Sequence, residues 1–205
     1  MDVGGAERGV RLTAIRDAAT VALLREGHVL MGCRRSGAVF MPMKWVFPGG
    51  AVDPDDAGVT LVRPCPGVPD AIAAAGLREL WEETGLRFGV PGPEPKGWPG
   101  FGLRPDAGAL RFVFRAVTPP GHSRRFDARF LLADARALAD DPDALAGSGE
   151  LEPLEWVPLE DAPRREIAFV TEIALQEVIA AARGEDPPEE IPFLDEGKRT
   201  PIRRL

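Results

Sequence analysis

The chain is predicted to fold as a mixed protein of the α/β or α+β class, in which several strands accompany two helices. Its 205 residues are 44% hydrophobic and 28% charged, which is typical of a globular domain and unlike a disordered chain or a coiled coil. Glycine and proline occur 23 and 21 times, and so many turn-forming residues disfavour an all-helical bundle. We expect one domain over residues 1–205, with a core at about residues 12–184 and an extended tail at 185–205.

The N-terminal part is predicted to form a β-hairpin followed by a structured loop. Residues 18–24 and 29–34 are apolar and of strand length, and Glu26 and Gly27 between them suit a tight turn. Phe-Pro-Gly-Gly at residues 47–50 predicts a sharp change of chain direction, because glycine adopts backbone torsions that other residues avoid.

Two helices and four more strands are predicted after this loop. Asp70 can cap a helix at residues 71–84, which Gly85 would terminate. Residues 134–146 are weakly helical or irregular, and residues 169–183 carry apolar positions at helical spacing. The later strands are predicted at residues 86–90, 109–118, 129–133 and 155–159.

The charge balance and the lack of long apolar segments exclude several classes of protein. The formal net charge of −7 disfavours a nucleic-acid binder that is held by phosphate contacts. Cys33 and Cys65 have neither disulfide-framework nor zinc spacing, and no N-terminal apolar segment suggests a signal peptide. No apolar segment approaches the roughly 20 residues that cross a bilayer. We therefore expect a soluble, cytoplasmic protein without nucleic-acid or membrane partners.

The first predicted helix carries three carboxylates on one face. At about 100° per residue, Glu79, Glu82 and Glu83 fall within an arc of about 100°, opposite a stripe of apolar residues. Like charges at these spacings cost about 0.2–0.5 kcal/mol per pair, and a divalent cation would remove the repulsion. Oxygen ligands favour Mg²⁺ or Mn²⁺ over Zn²⁺. The alternative is an acidic helix face that is simply solvated.

Residues 78–86 read Arg-Glu-Leu-Trp-Glu-Glu-Thr-Gly-Leu and resemble the signature of the Nudix hydrolases. That signature is Gly, five residues, Glu, seven residues, then Arg-Glu-apolar-x-Glu-Glu-x-Gly-apolar, and every fixed position from Arg78 to Leu86 agrees. The upstream Phe-Pro-Gly-Gly also stands where the family places it. The resemblance implies an α/β/α sandwich with a mixed β-sheet, and a hydrolase that cleaves the diphosphate bond of a nucleoside diphosphate linked to a group X.

The resemblance also implies roles for individual residues. Glu79, Glu82 and Glu83, together with Gly50, would hold Mg²⁺ or Mn²⁺. Arg78 would orient a neighbouring carboxylate, a task for which the planar guanidinium suits a bidentate pair, although a simple helix salt bridge is the alternative. A carboxylate of the signature, for which Glu82 is a candidate, or a glutamate from a later loop would act as general base. The later candidates are Glu150 and Glu152.

This chain departs from the signature at its first glutamate. Counting forward from Gly50 reaches Asp56, whereas counting back from Arg78 reaches Asp70, so the signature contains a 14-residue insertion and an aspartate replaces the glutamate. Either aspartate can take that role. The insertion, together with Thr118-Pro119-Pro120, Arg124-Arg125-Phe126-Asp127 and Phe130, resembles the Nudix branch that contains a mammalian coenzyme A diphosphatase, which implies coenzyme A or a derivative as substrate.

Cationic side chains near predicted strand ends are candidates for binding the substrate phosphates. They are Arg34, Lys44, Arg124 and Arg125. Trp45, Trp98 and Phe101 could stack on a base, but core positions are the more common place for such residues.

Other functions remain open from the sequence. Within the family, the same helix serves hydrolysis of ADP-ribose, nucleotide sugars or nucleoside triphosphates. From a different class, the chain could be a noncatalytic nucleotide sensor, against which the intact set of three glutamates argues. The resemblance also allows a homodimer.

Overall fold

The computed structural model describes residues 14–203, which form one large mixed sheet with a helix on each face. The helices are α1 (Asp70–Thr84) and α2 (Phe169–Ala182). The strands of the main sheet are β1 (Ile15–Arg25), β2 (His28–Arg34), β3 (Trp45–Val46), β4 (Gly49–Ala51), β7 (Arg111–Val117), β8 (Arg125–Asp134), β9 (Leu151–Pro158), β10 (Glu190–Asp195) and β11 (Lys198–Arg203), while β5 (Gly89–Val90) and β6 (Arg104–Pro105) pair separately.

The main sheet mixes parallel and antiparallel pairs. The path β11-β10-β7-β8-β1-β2-β3 runs across it, and β4 and β9 pair with β1 and β2. β1 is parallel to β8 and β10 is parallel to β7, whereas the remaining pairs are antiparallel. β1 therefore lies at the centre of the sheet. Its residues 18–20 pair with β4 on one side and with β8 on the other.

Strand β1 shows why the sheet needs a helix on each face. Its residues alternate in direction: Ala19, Val21 and Leu23 belong to the core cluster beneath α1, and Ala22 belongs to the cluster beneath α2. A strand that is apolar on both faces is stable only when both faces are covered. The expected α/β/α sandwich is thereby confirmed.

Helix α1 packs closely against the sheet at Gly76. A side chain at Gly76 would meet the Ala19 Cβ atom at 3.2 Å, so glycine permits the close approach. Gly85 ends the helix in the left-handed conformation at φ 79°, as the sequence predicts. The start differs from the prediction, because Asp70 is the first helical residue and Pro69 occupies the capping position.

The first two and the last two strands of the main sheet form hairpins, and both hairpins turn at a Glu-Gly pair. Glu26 and Gly27 link β1 and β2 with positive φ values of 46° and 80°, which confirms the predicted turn. The segment expected to be an extended tail contains a second such hairpin, β10 and β11, which adds to the sheet beside β7. Neither helix within residues 14–203 is long and apolar enough to cross a membrane.

Candidate active site

A cleft of about 550 Å³ crosses the face of the sheet that α2 covers. It begins at β1 and β4, passes over β8 and β7, and ends at β10. Three strand spacings separate β1 from β10, so the cleft is about 14 Å long in this direction. Carboxylates line the β1 end. The aromatic residues that line the cleft are Phe40, Phe47, Phe126, Phe130 and Phe169.

Glu79 and Glu83 of α1 line the acidic end of the cleft. The Glu83 side chain is almost fully buried, and the Gly49 N–H donates to its Oε2 at 2.8 Å. Burial raises the pKa of Glu83 to about 8 and the pKa of Glu79 to about 7. These carboxylates are therefore held in surroundings that disfavour their charge unless a cation accompanies them.

Arg78 holds the carboxylates of the helix in place. Its Nη1 donates to Glu79 Oε1 at 3.0 Å and to Glu82 Oε2 at 2.9 Å. Its Nε and Nη2 donate to the two oxygens of Asp56 at 2.9 and 3.0 Å, and Nη2 also reaches the Ala51 carbonyl oxygen at 3.0 Å. This is the bidentate geometry that only arginine provides.

Asp56, rather than Asp70, faces Arg78. The Asp56 side chain is fully buried and accepts further hydrogen bonds from the Asp53 N–H at 2.8 Å and the Trp98 Nε1–H at 3.2 Å. Asp70 is exposed at the start of α1. The 14-residue insertion therefore follows Asp56 and leads into the helix.

Gly50 lies against the carboxylate of Glu79. A Cβ atom added at Gly50 would lie 2.2 Å from Glu79 Oε1, and one added at Gly49 would lie 2.4 Å from the Ala19 carbonyl oxygen. The paired glycines of β4 therefore allow the backbone to pass between the central strand and the glutamates. No larger residue fits at either position without movement.

We expect Gly50→Ala to lower kcat by about 100-fold, because the added methyl group displaces the Glu79 carboxylate. Stability should change little, since the displaced atoms are the end of a flexible side chain. Steady-state kinetics and thermal unfolding of the same preparation check both expectations. Gly58→Ala is the matched control, because a Cβ there meets nothing within 4 Å. Full activity of Gly50→Ala would contradict the contact.

The loop before β9 is attached to the C-terminal end of α1. The Ser148 N–H donates to the Glu82 carbonyl oxygen at 3.0 Å, and the Ala146 N–H donates to the Thr84 carbonyl oxygen at 2.9 Å. This attachment places Glu150 at the acidic end of the cleft, where its charge contributes to the raised pKa of Glu83.

Glu152, the other candidate base, lies outside the cleft. It belongs to β9, and its Oε2 accepts a hydrogen bond from Arg35 Nη2 at 3.0 Å. The sequence placed both glutamates in a loop, whereas the strand begins at Leu151 and separates them.

The structure brings two of the four predicted phosphate-binding cations into the cleft. Arg34 and Arg124 line it, and the buried Nε of Arg34 has no hydrogen-bond partner among residues 14–203. Lys44 lies outside and is paired with Glu166 at 2.9 Å. The buried Arg125 also lies outside, where it donates to the Thr118 carbonyl oxygen at 3.0 Å and to Glu196.

The tryptophans do not provide a stacking surface in the cleft. Trp98 and Phe101 are buried in the core with their rings edge to face, as the more common interpretation of such residues expected. The ring of Trp45 lies 4.2 Å from the Arg165 guanidinium. Aromatic contacts in the cleft come instead from phenylalanines that sequence reasoning did not select, and Phe169 is 66% exposed there.

Three ionisable residues that line the cleft were not predicted from the sequence. Arg16 and Asp53 form an ion pair at 3.3 Å, and His122 lies on the loop between β7 and β8. Asp53 follows the Gly-Gly sequence closely, which is the one local signal that could have identified it. His122 had no partner pattern in the sequence.

The donor set fits a hard divalent cation, although residues 14–203 contain no preassembled group of three acidic, histidine or cysteine side chains gathered around one point. Arg78 and the Gly49 N–H hold the three glutamates in separate hydrogen bonds. The oxygens belong to carboxylates, two of which are buried against the cleft, and that chemistry suits Mg²⁺ or Mn²⁺.

The sequence of the chain matches that of a known protein family. The model of the NUDIX domain matches residues 14–177. An RNA pyrophosphohydrolase of Brucella ovis is 28% identical over 160 residues, which cover 75% of this chain and 84% of that protein.

Solved structures support the same assignment. A NUDIX hydrolase from Alicyclobacillus acidocaldarius is 30% identical with a TM-score of 0.64, over 82% of this chain and 92% of that one. A MutT NUDIX hydrolase from Burkholderia pseudomallei, 20% identical, shares the fold with a TM-score of 0.53, over 80% and 98% of the two chains. Because the family match includes β4, the buried Arg78 and the glutamates of α1, the chain belongs to the Nudix hydrolases, enzymes that act on diphosphate bonds.

Proposed function

We propose that this chain is a divalent-metal-dependent pyrophosphohydrolase whose substrate is coenzyme A or a derivative of it. The observation that carries the proposal is the position of Glu79 and Glu83 at one end of a long cleft whose remainder is largely apolar. A diphosphate at the acidic end would leave its X group over the phenylalanines.

The segment that resembles the coenzyme A branch supports this substrate. Thr118, Pro119, Arg124, Phe126 and Phe130 all line the cleft. Residues that resemble one branch of a family are expected to bind the substrate of that branch when they line the substrate site. Pro120, Arg125 and Asp127 of the same segment do not line the cleft, so the resemblance and the geometry coincide at five of its eight residues.

The carboxylates of Glu79, Glu82 and Glu83, with Gly50, would hold Mg²⁺ or Mn²⁺. The cation, when bound, neutralises diphosphate oxygens and makes bound water more acidic. Arg78 keeps Glu79 and Glu82 oriented through its Nη1. Its other nitrogens are occupied by Asp56 and Ala51, so it acts on the glutamates and does not contact the substrate.

Other residues of the cleft would bind the phosphates and move a proton. Arg34 and Arg124 line the cleft and supply positive charge for the phosphates. Glu150 is the favoured general base, because it lines the cleft and is exposed on a loop, whereas Glu152 is paired with Arg35.

A second candidate is pyrophosphohydrolysis at the 5′ end of RNA, which the name of the Brucella relative suggests. Arg16, Arg34 and Arg124 would then contact phosphates. The net charge of −7 disfavours binding of a polyanion such as RNA, and the phenylalanines of the cleft cannot pair with its phosphates. We therefore place this candidate second.

A substrate panel separates the candidates. We expect Mg²⁺- or Mn²⁺-dependent hydrolysis of coenzyme A, no activity in EDTA, and lower kcat/KM for ADP-ribose, nucleoside triphosphates and 5′-triphosphorylated RNA. Mass spectrometry of the products identifies the bond that is cleaved. Faster turnover of RNA than of coenzyme A would support the second candidate. A folded, metal-binding protein that hydrolyses none of these would indicate a nucleotide sensor.

A further inference from the structure

The hairpin of β10 and β11 lies beyond the part of the chain that the family model matches, which ends at residue 177. Its turn, Glu196 and Gly197, has φ values of 47° and 92°, and Asp195 pairs with Lys198 across it. β10 joins the sheet in parallel with β7 through the pairs Phe193 with Arg115 and Leu194 with Ala116.

The hairpin forms the wall of the cleft farthest from Glu79 and Glu83. Leu194 and Gly197 both line the cleft, next to Val117 and Pro119 of the neighbouring strand and loop. A Cβ added at Gly197 would lie 3.9 Å from Pro119 Cγ, so the turn packs directly beside the loop that carries His122 and Arg124. Without the hairpin, this end of the cleft would open to solvent at the edge of β7.

Arg125 connects the hairpin to that loop. Its guanidinium donates from Nε to the Thr118 carbonyl oxygen at 3.0 Å and from Nη2 to the Glu196 carboxylate. The Arg125 side chain is only 6% exposed, whereas that of Glu196 is 44% exposed, so the pair lies at the boundary between the core and solvent. A second contact is the Arg115 guanidinium, which lies 4.8 Å from the ring centroid of Phe193.

We propose that the β10–β11 hairpin is a specificity element, which closes the cleft over an apolar part of the X group, and that Arg125 is the residue that positions it. This inference rests on the proposed function and adds the chemistry of X. The wall is built from Leu194 and Val117, with Phe126 and Phe130 on the adjacent strand, and the polar residues Thr118, His122 and Arg124 line the cleft beside these apolar side chains. Such an apolar wall binds an acyl chain better than a sugar.

The test compares three probes that share an adenosine diphosphate unit: coenzyme A, octanoyl-coenzyme A and ADP-ribose. For the natural sequence we expect kcat/KM for octanoyl-coenzyme A to exceed that for coenzyme A by about tenfold or more. In Arg125→Ala and Glu196→Ala, KM for octanoyl-coenzyme A should rise about tenfold while kcat stays within about twofold. Arg125→Lys keeps the positive charge but loses the planar guanidinium group. Its KM for octanoyl-coenzyme A should therefore lie between the values of the natural sequence and of Arg125→Ala.

Arg63→Ala is the matched control for a general loss of stability. It removes the partner of the buried Asp106, which Arg63 Nη2 contacts at 2.7 Å, and neither residue lines the cleft. This variant should unfold at a lower temperature and keep the preference for the octanoyl derivative.

The outcomes separate the two proposals. Loss of the preference in both hairpin variants, but not in Arg63→Ala, supports the inference. An unchanged preference in the hairpin variants overturns the inference alone, as does a natural enzyme that treats coenzyme A and its octanoyl derivative alike. Hydrolysis of ADP-ribose alone overturns the coenzyme A substrate of the proposed function, and the inference with it. A natural protein that hydrolyses none of the three probes overturns the proposed function, and the inference with it.

Discussion

Glu83→Gln is expected to lower kcat by at least about 100-fold, with Mg²⁺ present, while leaving the melting temperature unchanged or higher. The substitution keeps the shape of the side chain and an oxygen that can accept the Gly49 N–H. It removes the ability of a side chain that is 3% exposed to become charged, and burial disfavours that charge when no cation accompanies it. Steady-state kinetics with coenzyme A, and thermal unfolding in EDTA, measure the two effects.

The control makes the same chemical change at Glu160, which is exposed and outside the cleft. Glu160→Gln should alter neither kcat nor the melting temperature. If Glu83→Gln hydrolysed its substrate at the natural rate, the carboxylates of α1 would not be the metal site. A large loss of stability would instead mean that the Glu83 charge supports the fold.

Arg78→Ala is expected to reduce the free energy of unfolding by about 3–5 kcal/mol, because it leaves the fully buried Asp56 without its bidentate partner. Asp56→Asn should also destabilise, since it removes the charge that faces the guanidinium. The double variant should lose less than the sum of the single losses, by at least about 1 kcal/mol. Urea unfolding of the four proteins provides this double-mutant cycle.

An exposed ion pair is the comparison for this cycle. Arg136 and Asp134 are joined at 2.6 Å, but the Arg136 side chain is 90% exposed, so Arg136→Ala should cost less than about 1 kcal/mol. Additive losses for Arg78 and Asp56 would show that the two side chains do not support each other. The structural role of Asp56 as the partner of Arg78 would then be wrong.

Local signals in the sequence were sufficient for the elements that begin or end at glycine. The α1 helix ends at Gly85 and the first hairpin turns at Gly27, because both positions need a positive φ that is costly for other residues. The spacing of Glu79 and Glu83 on one helix face also follows from helical periodicity. What periodicity could not give is the burial of Glu83, which depends on the β4 segment that covers it.

Contacts between distant parts of the chain account for most of the differences. The choice between Asp56 and Asp70 was open from the sequence. In the structure Asp56 is the one that contacts Arg78, 22 residues later, and it also accepts a hydrogen bond from Trp98, 42 residues later. Lys44 and Arg125 have partners 122 and 71 residues away, so their neighbours in sequence gave no sign that they point away from the cleft. Cations near strand ends can as easily pair with a remote carboxylate as with a phosphate.

The β10–β11 hairpin was missed for a specific chemical reason. Pro192 and Pro201 lie opposite each other in its ladder, and proline normally argues against a strand because it cannot donate a backbone hydrogen bond. The Glu-Gly turn between the strands repeats the chemistry of the first hairpin, and this was the signal that could have identified it.

Binding of Mn²⁺ is the direct test of whether the glutamates of α1 hold the cation that hydrolysis requires. Electron paramagnetic resonance reports free Mn²⁺ during titration of the natural protein and of Glu79→Gln/Glu83→Gln, with folding verified by circular dichroism. We predict that the natural protein removes Mn²⁺ from solution and that the double variant binds at least about 100-fold more weakly. Equal binding by the two proteins would contradict this role of the glutamates.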